Sequence, residues 1–246
     1  MSGLKSVFDF FYPPECLACS CFISDAGTLC SDCFNQLVFV QGHVCECCGY
    51  PLENAQEGQR CGPCLAKSPL YTLRTPLCYN DLSKELVLKL KYFDRMDLAK
   101  PLASFLYPVI EPFLEDIDYI LPVPLHWRRL WSRRYNQATE LCHHLSHSIA
   151  ARRDVPIPVL TNLLLRTKYT EPQGLKSYLH RTRNMRGAFH VHYPEILKGK
   201  SVALIDDVYT TGATLKACAK ALSKASVRHI YAFTVTRVIK GEALTP

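Results

Sequence analysis

Hydrophobic and polar positions follow two regimes along this chain, with a change near Cys64. Beyond Tyr71 the apolar residues repeat with the periods of buried strands and one-sided helices; before Cys64 they follow neither. Val202-Ala203-Leu204-Ile205 is an unbroken apolar run between polar residues, which predicts a strand covered on both faces of a parallel sheet. Asp118 to Pro124 and Arg228 to Thr236 predict further buried strands, Val159 to Leu165 another, and Tyr71 to Tyr79 an edge strand. Between them, Leu82, Leu86, Leu90 and Phe93 recur at helical spacing. So do positions across Leu98 to Phe113, interrupted by Pro101, Pro108 and Pro112, and the stripe Leu141, Leu145, Ile149. A last helix is expected to start near Leu215 and run through Ala217, Ala221 and Leu222. Strands alternating with helices predict an α/β class with a doubly wound, mostly parallel sheet.

The first regime is set by cysteine. Ten of the 13 cysteines lie at or before Cys64, eight of them as Cys16-x-x-Cys19, Cys30-x-x-Cys33, Cys45-x-x-Cys48 and Cys61-x-x-Cys64. Each pair can supply two thiolates to a tetrahedral ion, and Zn²⁺ with four cysteines is the usual closed structural site. Eight thiolates allow two zinc ions, bound sequentially or as a cross-brace; the short loop between Cys19 and Cys30 favours the sequential order. Cys21 and Cys47 each neighbour a ligand candidate and could replace it. A redox dithiol is the weaker reading, because no thioredoxin-like pattern accompanies the pairs. So small a module buries little apolar area, and the metal is expected to supply its stability. The division predicted is a cysteine-rich zinc-binding module over residues 1–68, ending in a linker from Leu65 to Pro69, and a second domain over 69–246.

Charge divides the chain at the same place. Residues 1–64 carry 2 Lys+Arg against 7 Asp+Glu, and the remainder carries 27 against 15. A basic surface of that size suits polyanionic partners. No apolar run approaches the length of a transmembrane helix, and the start has neither a sustained apolar region nor a cleavage site. Leu4, Val7, Phe8, Phe10 and Phe11 are expected to form one face of a short helix stopped by Pro13-Pro14. The expected location is cytoplasmic, a reducing compartment that favours metal over disulfide at paired cysteines.

Chemistry concentrates where the apolar run at 202–205 ends. Asp206 and Asp207 follow it at the strand's carboxyl end, the edge where open α/β sheets bind ligands, and two adjacent carboxylates suit the two hydroxyls of a ribose. Tyr209, Thr210, Thr211, Gly212, Ala213 and Thr214 come next, a small, hydroxyl-rich turn that leads into a helix and presents N–H groups to a phosphate. This order of strand, acidic pair and phosphate turn resembles the signature of type I phosphoribosyltransferases, which bind 5-phosphoribosyl 1-pyrophosphate (PRPP) with Mg²⁺. Arg128, Arg129, Arg133 and Arg134 follow the strand at 118–124, interleaved with Trp127, Trp131 and Tyr135. Arginines there could bind pyrophosphate or a nucleic-acid backbone, and the rings could stack on bases. The polar stretch from Arg166 to Arg186 predicts either a functional lid or a disordered excursion, with Arg166, Lys168, Gln173, Arg181, Asn184 and Arg186 as candidate contacts. Lys91-Tyr92-Phe93-Asp94-Arg95 joins two helices, either beside the site or as a surface turn.

Taken together, these marks resemble the ComF family (ComFC, with GntX-like relatives). They are the four knuckles, Pro122-Val-Pro124, Arg133-Arg-Tyr-Asn-Gln137, Gln173-x-Leu175, Arg181-x-x-Asn184, Ala188-Phe189 and the signature at Asp206-Asp207. Arg134 departs from the pattern, standing where the family more often has Gly. The resemblance implies a zinc module ahead of a phosphoribosyltransferase-like domain and a role in natural transformation. It implies single-stranded DNA and PRPP as partners, with Arg128, Arg133, Arg134 and Lys168 contacting pyrophosphate or DNA. A helicase or recombination protein is a further partner the zinc module could dock. The alternative is a phosphoribosyltransferase acting on an unidentified small-molecule acceptor, with Asp206 and Asp207 as catalytic residues; no acceptor-reading segment is visible in the sequence.

Overall fold

The computed structural model describes residues 13–53, 56–168, 185 and 187–239. The expected N-terminal helix at 4–11, and Gln173, Arg181, Asn184 and Arg186 of the polar stretch, lie outside these residues.

Two short helices, α1 (Ser31–Asn35) and α2 (Gly62–Ala66), belong to the cysteine-rich region. The sheet begins with β1 (Thr72–Arg74) and β2 (Leu77–Cys78), continues through β3 (Tyr119–Pro122) and β6 (Ser201–Tyr209), and ends with β7 (His229–Arg237). All its pairings are parallel: β3 on β6, β6 on β7, and β1 and β2 in turn along β7. The expected single edge strand at 71–79 is therefore two pieces. Pro76 has no N–H to give a ladder, and the gap is filled by a hydrogen bond between the Thr75 and Thr234 hydroxyls at 2.8 Å.

Helices cover both faces, as a doubly wound sheet requires. On one lie α3 (Asp81–Tyr92), α4 (Ala99–Ile110) and α6 (Gln137–Arg153), burying Leu86, Leu90, Leu102, Leu106, Leu141 and Leu145 against Ile120, Ala203, Ile205, Phe233 and Val235. On the other, α8 (Ala213–Lys224) packs Leu215, Cys218, Ala219 and Leu222 against Leu121, Val202, Leu204 and Ala232. Successive strand residues point to opposite faces, so a strand buried on both must be apolar throughout, and the run at 202–205 is. Truncating Leu204, fully buried, to Ala would cost about 2–5 kcal/mol.

Two further expectations are corrected, and the start of the last helix, expected near Leu215, is set more closely. Residues 159–165 do not form one strand of the sheet: Val159 bridges Ile120, and the chain then makes β4 (Leu164–Arg166), paired antiparallel with β5 (Phe189–Val191) away from the main sheet. Apolar content alone did not separate a hairpin over α8 from a sheet strand. The last helix starts two residues before Leu215, because Gly212 takes the N-cap with φ +69°. A short helix α5 (Trp127–Arg133) occupies the arginine-rich segment after β3, where the sequence pattern announces no helix, and α7 (Pro194–Leu197) comes later in the chain. The His126 ring caps α5 by accepting from the Arg128 N–H at 3.3 Å.

Candidate functional site

β6 runs past the apolar core to Tyr209 and carries Asp206 and Asp207 to its carboxyl end. Their side chains leave opposite faces of the strand, and their surroundings differ accordingly. Asp207 faces the side of α3, where Lys91 Nζ lies 2.8 Å from its Oδ1. Burial disfavours the Lys91 ammonium, but the Asp207 carboxylate outweighs this and holds its pKa above the usual lysine value. Asp206 faces the side of α8; burial and the neighbouring Asp207 charge push its pKa up to about 7, with Lys91 and Arg166 pulling the other way. The Asp206 Oδ1 accepts the Asp207 N–H at 2.9 Å. The ion pair of Asp207 with Lys91 thus stands beside an Asp206 carboxyl poised to lose its proton near neutral pH.

Beyond Tyr209 the chain turns through Thr210 and Thr211 into α8, whose first N–H groups have no partners within the helix. Gly212 is required there for two reasons: its φ is left-handed, and a Cβ would stand 2.7 Å from Tyr209 Oη and 2.8 Å from Cε2. A cleft of about 300 Å³ opens over this turn, lined by Asp206, Asp207, Thr210 and Thr214. Lys91, Arg133 and Arg166 add cations to it, and Tyr79, Tyr92, Val123, Pro124 and Leu125 form its walls.

Of the arginines read from the sequence, Arg166 lines this cleft from β4, and Arg133 lines it too. The Arg133 guanidinium donates to the Tyr92 hydroxyl at 2.8 Å and to Gln137 Oε1 at 3.3 Å, and sits 4.5 Å from the Tyr92 ring centroid. Asn136 fixes the same segment by donating to the Val123 carbonyl at 3.0 Å and capping α6 through the Ala138 N–H. Arg128, Arg134 and Lys168 do not line the cleft: all three are exposed, Arg128 stacking on Trp127 at 5.3 Å. Arg134 adopts φ +65°, a conformation that favours glycine. Lys91 is the residue that sequence reading left undecided. Its signal is a lysine in the last turn of an amphipathic helix, next to its final residue, and only the packing of α3 on β6 aims it at Asp207.

The eight paired cysteines form two clusters, Cys16, Cys19, Cys30, Cys33 and Cys45, Cys48, Cys61, Cys64, with the sulfurs of each within 4.8 Å of one another. This is the sequential order, and it fits one tetrahedral Zn²⁺ per cluster; Cys21 and Cys47 stand outside both. Backbone N–H groups point at the sulfurs: Cys30 N to Cys16 Sγ at 3.3 Å, and Cys61 N to Cys45 Sγ at 3.3 Å. N–H donation from neighbouring residues outweighs burial at Cys16 and Cys45 and brings both thiols down to about 6, whereas burial and the neighbouring cysteines push Cys33, Cys48 and Cys64 up.

The sheet, with the acidic pair and the glycine turn at its carboxyl edge, has the fold of the type I phosphoribosyltransferase kind, preceded by a module of two four-cysteine clusters. Residues 7–65 match the double zinc ribbon domain family. Over 236 residues the chain is 31% identical to competence protein F of Haemophilus influenzae, covering 92% of this chain and 98% of that protein. It is 30% identical to the DNA utilization protein YhgH of Escherichia coli O6:H1 (80% and 85% covered) and 26% identical to competence protein ComFC of Bacillus subtilis (85% and 84%). The chain belongs to the competence protein F (ComF) family. Among solved structures it is similar to the glutamine PRPP amidotransferase of B. subtilis (15% identity, TM-score 0.39, 60% of this chain and 30% of that one). It is also similar to adenine phosphoribosyltransferase of Saccharomyces cerevisiae (17%, TM-score 0.35, 60% and 72%). Among the described residues, no helix is long and apolar enough to cross a membrane.

Proposed function

We propose that this protein binds PRPP with Mg²⁺ in the cleft over Asp206 and Asp207, and single-stranded DNA along the adjoining basic and aromatic helix α5, in the cytoplasmic handling of DNA during natural transformation. The observation that carries the reading is the convergence in one cleft of two carboxylates, a glycine-started helix and three cations. In this reading Asp206 and Asp207 hold the ribose hydroxyls. The Thr210–Thr214 turn and the first N–H groups of α8 hold the 5-phosphate. Lys91, Arg133 and Arg166 balance the pyrophosphate, whose magnesium supplies further positive charge. Ligand binding favours the ionised form of Asp206, so affinity should rise as pH passes 7.

α5 continues from this cleft at Arg133 and presents Trp127 and Trp131 to solvent, Trp131 84% exposed. Indoles left in water beside Arg128 and Arg134 suit base stacking along a strand whose phosphates the arginines track. The names of the relatives, competence proteins and DNA utilization proteins, support the DNA part.

The test is a titration of a labelled single-stranded oligonucleotide with zinc-loaded protein at fixed salt, with and without Mg²⁺-PRPP. Binding that Trp131→Ala weakens roughly tenfold, consistent with a stacking loss of about 1–3 kcal/mol, is the expected result. Absence of DNA binding with retained PRPP binding would overturn the DNA part and favour transfer from PRPP to a small-molecule acceptor.

A further inference from the structure

The last residue of β7, Arg237, is 3% exposed, and its Nε is buried with no hydrogen-bond partner. A buried, incompletely satisfied guanidinium is costly, by about 1–3 kcal/mol for the orphaned group. What surrounds it explains why it is there. Its Nη1 donates to the carbonyl oxygen of Cys48, a member of the second cysteine cluster, at 2.7 Å. Its guanidinium lies 5.2 Å from the Tyr50 ring centroid on the ribbon side and 5.3 Å from the Tyr209 ring centroid on the other. Tyr209 ends the strand that carries Asp206 and Asp207, and its ring fills the space where Gly212 would otherwise carry a Cβ. Contacts therefore run without a gap from a zinc-ligand backbone, through one cation between two aromatic rings, to the N-cap of α8.

We propose that Arg237 is a positioning residue through which the second zinc ribbon sets the conformation of the turn at Tyr209–Thr214. Four thiolates on Zn²⁺ carry a net negative charge, and the guanidinium is a buried counter-charge held against it. Arg74 approaches the same ribbon by donating to the Glu46 carbonyl at 3.0 Å, but reaches no residue of the turn. Losing the second cluster would free Arg237, loosen the Tyr209 ring and unset the left-handed cap at Gly212. This rests on reading the turn as the phosphate site only where PRPP enters the test; the coupling itself is a property of the free protein.

The experiment is hydrogen–deuterium exchange on the full zinc-loaded chain and on Arg237→Met, scored over residues 209–215 and over the first ribbon at 16–33. The expected result is at least fivefold faster exchange at 209–215, with the first ribbon unchanged and two zinc ions retained. Unchanged exchange at 209–215 would overturn the coupling. Should Arg237→Met fail to retain zinc, Tyr50→Leu, which removes the ring on the ribbon side, is scored by the same two criteria. A second readout separates positioning from simple loss of packing. In the unsubstituted protein, Mg²⁺-PRPP should raise the zinc affinity of one of the two sites about fivefold in equilibrium competition with a chelator, by the reciprocity of linked sites. That effect should vanish in Arg237→Met, and persistence there would count against Arg237 as the link. An unsubstituted protein that binds no PRPP would remove the phosphate reading of the site, and the exchange data would still decide the coupling.

Discussion

The two ribbons share a local plan and differ in what they touch. In each, the first cysteine N–H donates to the carbonyl five residues on, Cys21 in the first and Tyr50 in the second, at 2.8 Å. Ser20 and Gly49 take matching left-handed positions with φ +59° and +62°, and Gly27 and Gly58 do so with φ +76° and +81°. The first ribbon is anchored by apolar burial. Cys16, Leu17, Ala18, Cys33 and Leu37 join the core that α3 and α4 make with the sheet, and Phe34, Phe39 and Phe105 cluster with centroids 5.7–6.3 Å apart. Polar contacts to the sheet anchor the second: the Leu73 N–H to the Cys47 carbonyl at 2.8 Å, Arg74 to Glu46 and Arg237 to Cys48. Repeating one metal-binding unit has thus given a ribbon that stabilises the helical layer and another that adjoins the ligand edge of the sheet.

Removing equivalent ligands should expose this division most strongly. Cys33→Ser is expected to lose one zinc ion and several kcal/mol, read as a fall in Tm on the order of 10 °C, because a buried core position fails with its metal. Cys64→Ser should also lose one ion, with a smaller fall in Tm and a larger effect on PRPP affinity. Equal falls in Tm with equal effects on affinity would dissolve the distinction. Next in size is Gly49→Ala, since its Cβ would stand 2.5 Å from the Leu73 carbonyl oxygen in a left-handed backbone. We expect roughly 2–4 kcal/mol by denaturant unfolding, against about 1 kcal/mol for Gly27→Ala, which meets open space. The smallest effect is pH-dependent. Because the folded-state pKa of Asp206 is raised to about 7, the folded chain binds the extra proton between about pH 4 and 7, and Asp206 costs stability as pH rises through that window. Asp206→Asn should therefore raise Tm at pH 8 and leave it unchanged near pH 4. The gain at pH 8 should be about 1–3 kcal/mol, below the full ~1.4 kcal/mol per pKa unit because the cleft admits water. An equal Tm shift at both pH values would show that the raised pKa is not its source.

Much of this architecture was legible before any coordinates. The run at 202–205 announces its own double burial, and cysteine spacing announces structural zinc with one or two ions, because both signals are local; the division into two clusters is seen only in the fold. What the sequence misreads or leaves open is non-local. Whether residues 159–165 join the sheet or make a hairpin depends on what α8 leaves uncovered, and whether Lys91 meets solvent or Asp207 depends on how α3 lies on β6. The same holds for Arg237. In sequence it is a cation after a strand, and only the placement of the second ribbon makes it a buried contact between a cysteine carbonyl and Tyr209.

The central claim is that the carboxylate pair and the glycine turn form a PRPP site. Calorimetric titration of Mg²⁺-PRPP into the zinc-loaded chain, alongside Asp206→Asn and Asp207→Asn variants confirmed to keep both zinc ions, tests it most directly. The account predicts saturable binding at one site per chain, lost or weakened at least a hundredfold in both variants. Unchanged affinity in the variants, or no binding in the unsubstituted protein, would contradict it.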